Sequence, residues 1–435
     1  MNTANKDEIE RGLSLAWHEE TARNSVERWF KVCEQEHWQD KPENLQLLIS
    51  IFGASWYFTR FIFATGLQAV EVIDRSNAPP PDRDTLTESL LPSLAHDDIE
   101  IRTNQLRVLK NKSMLQILKA YLQADYTIEQ LEHSLTLLAE ATLDILIRSL
   151  RMLPQHAQFP VTILAMGRMA GHEMTFGSDL DLIFLYDEKH QDLHASMGKT
   201  IRLLLRTIAQ PASAGSLYDV DMRLRPHGNS GLLVTSYSSF IEYHDDKRDV
   251  WERQMMTRCR PVLVSSDYVD NVMQHVFGSI YAEYDKIHLK QEILAMRTRV
   301  QKELGSPKDK YEIKRGYGGI MDVDFISHYY QLAHGYQHSE LRTCSTRTAL
   351  AALGNIGLID KKAVARLTEH YNYLKKVEMC LRLFDLKSVD SFRTFAADNL
   401  ALSRALGHGD NTGQFIEEYE SVVQEVRRDF QDLLD

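Results

Sequence analysis

Two aspartates stand two positions apart behind a glycine–serine pair in Gly177-Ser178-Asp179-Leu180-Asp181, and the apolar run Leu182-Ile183-Phe184-Leu185 follows directly. This order predicts a turn entering a β-strand, and on a strand residues two apart point to the same side. Asp179 and Asp181 could then share a small, hard cation such as Mg²⁺, which takes oxygen ligands. An Asp-rich turn ahead of a strand is the plain structural alternative for these five residues.

A second segment favours the chemistry. In Leu217-Tyr218-Asp219-Val220-Asp221-Met222-Arg223-Leu224-Arg225-Pro226, charged residues alternate with apolar ones, as on a strand with one wet face. That face carries Asp219, Asp221, Arg223 and Arg225. A third carboxylate from this strand can complete a two-ion site, in which one cation activates an attacking hydroxyl and the other steadies a leaving pyrophosphate. Arg223 and Arg225 supply forks suited to phosphate oxygens. Pairing of Asp with Arg for solubility is the competing structural reading.

Periodicity indicates which elements would hold these side chains. Val161-Thr162-Ile163-Leu164-Ala165 is a short apolar strand or a helix end leading to a turn at Gly167. Residues 195–210, with Ile201, Leu204, Leu205 and Ile208, predict a helix between the two carboxylate strands, closed by Pro211 and Gly215. Upstream, Ile128, Leu131, Leu135, Leu138, Ile145 and Leu150 recur at helical spacing, and Leu47–Phe52 with Trp56-Tyr57-Phe58 predict a buried helical hairpin. Asn77-Ala78-Pro79-Pro80-Pro81-Asp82 breaks the pattern as a loop. Downstream, helical patterns over 286–303, 342–354, 361–386 and 414–434 predict a bundle. The fold class expected is α+β and mostly helical: an N-terminal helical domain over 1–155, a mixed domain over 156–265 and a C-terminal helical bundle over 266–435.

Composition narrows the class. A chain of 435 residues, 43% of them hydrophobic, has ample material for about two to four domains. Its net charge of −11 argues against general nucleic-acid binding, which rests on neutralising phosphates with Lys and Arg. A protein substrate fits better. Cys33, Cys259, Cys344 and Cys380 form neither a CxxC pair nor a zinc spacing, as expected of free thiols in a reducing compartment. The first residues show no apolar signal region and no run of about eighteen apolar residues occurs, so a cytoplasmic protein without a membrane span is expected.

Other features read as structure. His172-Glu173 is no zinc-protease motif, because position 176 is Phe rather than His. Gly316-Tyr317-Gly318-Gly319 reads from spacing as a turn rather than a phosphate loop, and Trp251-Glu252-Arg253 as a contact between a helix and its neighbours.

The motifs together carry a resemblance. Gly-Ser-Asp-x-Asp with a later Asp-x-Arg strand resembles the nucleotidyltransferase fold of the polymerase-beta superfamily. Met166-Gly167-Arg168-Met169-Ala170-Gly171-His172-Glu173, the run from Gly177 to Phe184 and Asp221-Met222-Arg223-Leu224-Arg225-Pro226-His227-Gly228 resemble glutamine synthetase adenylyltransferases more narrowly. So do Asp249-Val250-Trp251-Glu252-Arg253, Ile313-Lys314, Gly318-Gly319-Ile320 and Asp322-Val323-Asp324-Phe325. Three departures stand out. Arg168 replaces a lysine of the family and Ala170 a glycine, which would narrow the backbone if that position needs a positive φ, and Asp324 stands where Glu is common.

The resemblance implies an Mg²⁺-dependent enzyme acting on glutamine synthetase, with a PII-type signal protein as a possible regulator. Asp179, Asp181 and Asp221 would be the catalytic and metal-binding residues, with two Mg²⁺ ions. Gly167, Gly177, Ser178, Arg223, Arg225 and Lys314 would bind the nucleotide. The family usually carries two related halves, one attaching AMP from ATP to a tyrosine and one removing it by phosphorolysis. This chain has one set of motifs. Tyr218-Asp219-Val220-Asp221 and Leu233-Val234-Thr235-Ser236 are more like the attaching half, whereas Asp221-Met222-Arg223 and Arg248-Asp249-x-Trp251-Glu252-Arg253 also resemble the removing half. Transfer of AMP from ATP leads. Its alternatives are AMP removal with phosphate, or a non-catalytic regulatory module of the same fold, against which the three intact carboxylates argue.

Overall fold

A computed structural model of the chain describes residues 3–36, 42–245, 249–304, 310–393, 395 and 399–434. Arg248, part of one motif above, lies outside them. The architecture is mostly helical around a small mixed sheet, in agreement with the expected class.

The sheet contains β1 (Val161–Met166), β2 (Leu180–Tyr186), β3 (Val220–Asp221), β4 (Thr235–Ser236) and β5 (Cys259–Leu263), in the order β3-β2-β1-β5 with β4 also on β2. Strand β1 is buried at every position because β2 and β5 flank it, both antiparallel. Its unbroken apolar run suits a central strand with two covered faces. Both β3 and β4 join β2 in parallel, at opposite ends. The helix His194–Ala209 connects β2 to β3, as its spacing predicts.

The second carboxylate segment is much less extended than the alternation of residues 217–226 suggests. Only Val220 and Asp221 pair as strand. The Asp221 side chain accepts the Arg223 backbone N–H at 2.8 Å, a local bond that competes with the ladder and turns the chain. Arg225 then donates to the carbonyls of Met222, Asn229 and Gly231, fixing a compact loop.

Helices surround the sheet. Thr127 and Gln130 form a reciprocal capping box that starts the helix Ile128–Arg151, and Asp98 caps Ile99–Leu122 through the N–H groups of Glu100 and Ile101. These two long helices pack on one another and on Arg83–Leu90. The hairpin of Pro42–Ala54 and Trp56–Thr65 is present, with Ser55 between its arms. Ser55 caps the second arm and donates its hydroxyl to the Leu383 carbonyl at 2.7 Å, joining the start of the chain to its C-terminal bundle. That bundle includes Lys286–Leu304, Ile320–His334, Thr346–Asn355, Lys361–Leu383 and Thr412–Leu434. A two-stranded ribbon of β6 (Lys310–Glu312) and β7 (Ser391–Arg393) lies beside it. Buried apolar residues form one connected cluster from Ile9 to Leu434, so the three predicted segments share a core. No described helix is long and apolar enough to cross a membrane.

Candidate active site

Register brings the carboxylates together. Asp181 and Asp221 are direct partners on the parallel pair β2 and β3, with the Leu180 N–H bonded to the Asp219 carbonyl at 2.9 Å. Asp179 lies one residue before β2. Ligand atoms of Asp179, Asp181 and Asp221 all lie within 4.8 Å of one another. Three carboxylates at this separation form an all-oxygen donor set that fits one or two Mg²⁺ ions.

The charges are unevenly settled. Burial first, and then the neighbouring carboxylates of Asp179 and Asp221, push the Asp181 carboxyl up to about 7, against the opposing pull of Lys314 and Arg223. Hydrogen bonds from Arg223 hold Asp221 below its ordinary range despite some burial. The Arg223 guanidinium reaches Asp221 with Nε at 2.8 Å and Nη2 at 2.5 Å while remaining largely exposed.

Two glycines make close approaches that no other residue could make. Gly167 has a φ of +56°, and a Cβ there would lie 2.7 Å from Asp181 Oδ2. Gly177 has a φ of +68°, and a Cβ would lie 2.7 Å from the Leu386 carbonyl carbon. Ser178 is buried, and its Oγ accepts the Thr175 N–H at 2.9 Å. Arg382 reaches Thr175 Oγ1 at 3.3 Å, tying this turn to the C-terminal bundle. Lys314, in the turn between β6 and the helix Ile320–His334, lies within electrostatic range of Asp181, and burial lowers its pKa.

Thus the structure gathers Asp179, Asp181, Asp221, Arg223, Gly167 and Lys314 around one point, with Gly177 and Ser178 forming the turn behind Asp179. Arg225 is set apart by the loop it clasps. The glycine-rich stretch after Lys314 is a turn. Its Gly318 N–H is taken by Asp322 Oδ2 at 2.8 Å, and a Cβ on Gly318 would overlap the Val423 carbonyl. Asp322 also binds Arg297 Nε at 2.5 Å and so remains structural. Ala170 lies in a short helix and is absent from the positive-φ positions, so its methyl group carries no backbone strain. Glu252 and Arg253 bond to Tyr243 and to Ser279 and Tyr284 respectively, as expected of a helix contact.

A buried ion network behind Gly167 escaped the sequence reading. Arg168 binds Glu173 at 3.0 Å and Asp324 at 2.9 Å, and Arg258 binds the same two carboxylates at 2.7 and 3.1 Å. Tyr371 accepts from Arg168 at 2.6 Å and donates to Glu173 at 2.8 Å. Thr346 donates its N–H to Glu173 at 2.9 Å and its hydroxyl to Asp324 at 2.8 Å. Burial alone would raise both carboxyl pKa values, but Arg258 and Arg168 hold Glu173 down to about 2 and Asp324 well below its usual range. The Arg258 carbonyl accepts the Gly167 N–H at 3.1 Å, so the network anchors the backbone that touches Asp181. The one signal in the sequence was Arg168 with Glu173 five positions on; their partners lie far along the chain.

The sequence is similar to known proteins over most of its length. A family model described as glutamate-ammonia ligase adenylyltransferase matches residues 45–275, and one described as PII-uridylyltransferase matches residues 288–434. A bifunctional glutamine synthetase adenylyltransferase/adenylyl-removing enzyme of Chromobacterium violaceum is 31% identical over 373 residues, covering 83% of this chain and 42% of its own length. Its namesake in Nitrosomonas europaea is 30% identical over 357 residues, covering 79% and 38% respectively. That of Psychromonas ingrahamii is 26% identical over 403 residues, with coverage of 88% and 42%. The chain therefore spans about two fifths of the length of the curated relatives it matches.

Proposed function

Because the chain belongs to the glutamate-ammonia ligase adenylyltransferase family, we propose that it transfers AMP from ATP to a tyrosine hydroxyl of glutamine synthetase. The observation that supports this most is the convergence of Asp179, Asp181 and Asp221 within 4.8 Å on a turn and two registered strands. These three residues would hold Mg²⁺, which when bound neutralises charge on the triphosphate. Lys314 and Arg223, both within electrostatic range of Asp181, bring cationic donors to the phosphates, and the Ser178 hydroxyl donates to a phosphate oxygen. Asp221 receives the proton of the attacking tyrosine. The tyrosine oxygen bonds to the α-phosphorus as the bond to pyrophosphate breaks, and positioning and charge complementarity supply most of the acceleration. The match of residues 288–434 to a PII-uridylyltransferase model supports regulation by a PII-type signal protein.

The test mixes the chain with glutamine synthetase, Mg²⁺ and α-labelled ATP and follows the label by gel and intact mass. Gain of one AMP per synthetase subunit, absent with Asp179→Asn, is the expected result. Absence of label, with release of ADP from pre-adenylylated synthetase in phosphate, would instead assign the removing reaction. Absence of both activities overturns the enzymatic reading.

A further inference from the structure

The third carboxylate depends on a strand of two residues, Val220 and Asp221. So short a strand has few ladder bonds of its own, and a slip of one residue would turn Asp221 to the other face. Something else must hold the register. Helix Ile99–Leu122 directs three polar side chains at that segment, spaced so that they share one face. Arg107 donates to the carbonyls of Thr207 at 3.3 Å and Gln210 at 2.9 Å. Lys110 donates to those of Leu217 at 2.8 Å and Ser216 at 3.4 Å, and Asn111 to that of Ala214 at 2.9 Å. The three residues are 4%, 3% and 1% exposed.

Lys110 is the informative one. A buried ammonium is costly unless paired, yet its hydrogen-bond partners include no carboxylate. It lies 4.9 Å from the centroid of the Tyr218 ring and lines a cavity of about 230 Å³ shared with Ser178 and Asp219. Burial, and then Arg107, bring its pKa down to about 7. Such a group is poorly explained as a contributor to core stability. Its donors all grip the backbone two to three residues before Asp219, whose carbonyl starts the pairing with β2.

We propose that Arg107, Lys110 and Asn111 are positioning residues that clamp residues 207–217 and thereby hold Asp221 opposite Asp181 at cation-sharing distance. The N-terminal helical region is then part of the catalytic apparatus. This rests on the three-carboxylate reading above.

Lys119 provides an internal control. It is a second buried lysine nine residues along the same helix, and it also grips backbone carbonyls, those of Ile73 and Arg75, remote from the site. Mn²⁺ serves as the probe, with affinity measured by calorimetry and paramagnetic resonance on the full chain and folding by circular dichroism. Lys110→Met should weaken Mn²⁺ binding about tenfold, the scale seen when outer support of a metal site is removed. Lys119→Met should lower the melting temperature but leave Mn²⁺ affinity unchanged. Wild-type affinity in Lys110→Met, or an equal loss in Lys119→Met, overturns the clamp. If Lys110→Met does not fold, Asn111→Ala takes its place with the same expected direction, and unaltered affinity there overturns the proposal. A wild-type chain that binds no Mn²⁺ would remove the carboxylate reading together with this one, whereas wild-type binding with unaltered variants removes the clamp alone.

Discussion

Asp181 is held among other carboxylates at the expense of stability. Its carboxyl titrates near 7 in the folded chain against an ordinary value of 3.8, so its protonated form is favoured by folding. The associated stability is complete below about pH 3.8 and is lost as pH rises through about 7. Asp181→Asn, which fixes the neutral form, should therefore raise the melting temperature by a few degrees at pH 8, from up to about 4 kcal/mol, and by nothing at pH 4. Thermal melts at both pH values check the sign, and loss of Mn²⁺ binding in the same variant checks the function. Gly167→Ala is expected to act on the site more than on the fold, because its new methyl group would press on Asp181 Oδ2. A fall in Mn²⁺ affinity of at least tenfold with a modest change in melting temperature is the outcome to look for. The paired aspartates were readable from the sequence because the Gly177-Ser178 turn and the apolar run after Asp181 mark the start of a strand, although Asp179 itself lies one residue ahead of β2. Arg225 was not, because its direction is set by carbonyls of a loop that alternation cannot reveal.

At the scale of elements, β2 and the connecting helix were legible from an apolar run and helical spacing, whereas the run at Val161 left a strand and a helix end open and only its pairing with β2 and β5 makes it β1. The length of β3 was not legible, since an aspartate side chain ends it by bonding to its own backbone. The network under Gly167 was hidden for a different reason: Arg258 lies 85 residues from Glu173 and Tyr371 lies 198 from it, and no local pattern encodes such partners. Arg258→Met removes one of the two guanidinium groups that pair with Glu173 and Asp324 in a buried site. A loss of about 3–5 kcal/mol is expected, measured by urea unfolding. Gly177→Ala should be costly too, since the turn has a positive φ and abuts the Leu386 backbone. If Gly177 supports the proposed nucleotide site, that variant should also lose any thermal stabilisation that ATP confers on the wild-type chain.

Across the whole molecule, the helical regions and the sheet form one energetic unit. Glu173 stays ionised down to about pH 2, so the stability it draws from Arg258 and Arg168 is present above about pH 4.5 and disappears as pH falls through about 2. Acid unfolding should accordingly be steep in that window, and Glu173→Gln should flatten it; circular dichroism during acid titration decides. Residues 1–287 alone would lack Asp324, Thr346 and Tyr371 from the network and Lys314 from the site, and should fail to give a cooperative thermal transition. The broad arrangement of helices around a mixed centre was legible from composition and periodicity, whereas the shared core was not, because contacts such as Ser55 with Leu383 join positions 328 apart. That closure has a consequence for biosynthesis. Glu173 leaves the ribosome 198 residues before Tyr371, which at about 10 residues per second is a wait of roughly 20 s. During that interval the nascent chain holds its acidic motif without the bundle that anchors it, so the candidate site should become ordered late in synthesis, and a truncated translation product should bind Mn²⁺ more weakly than the full chain.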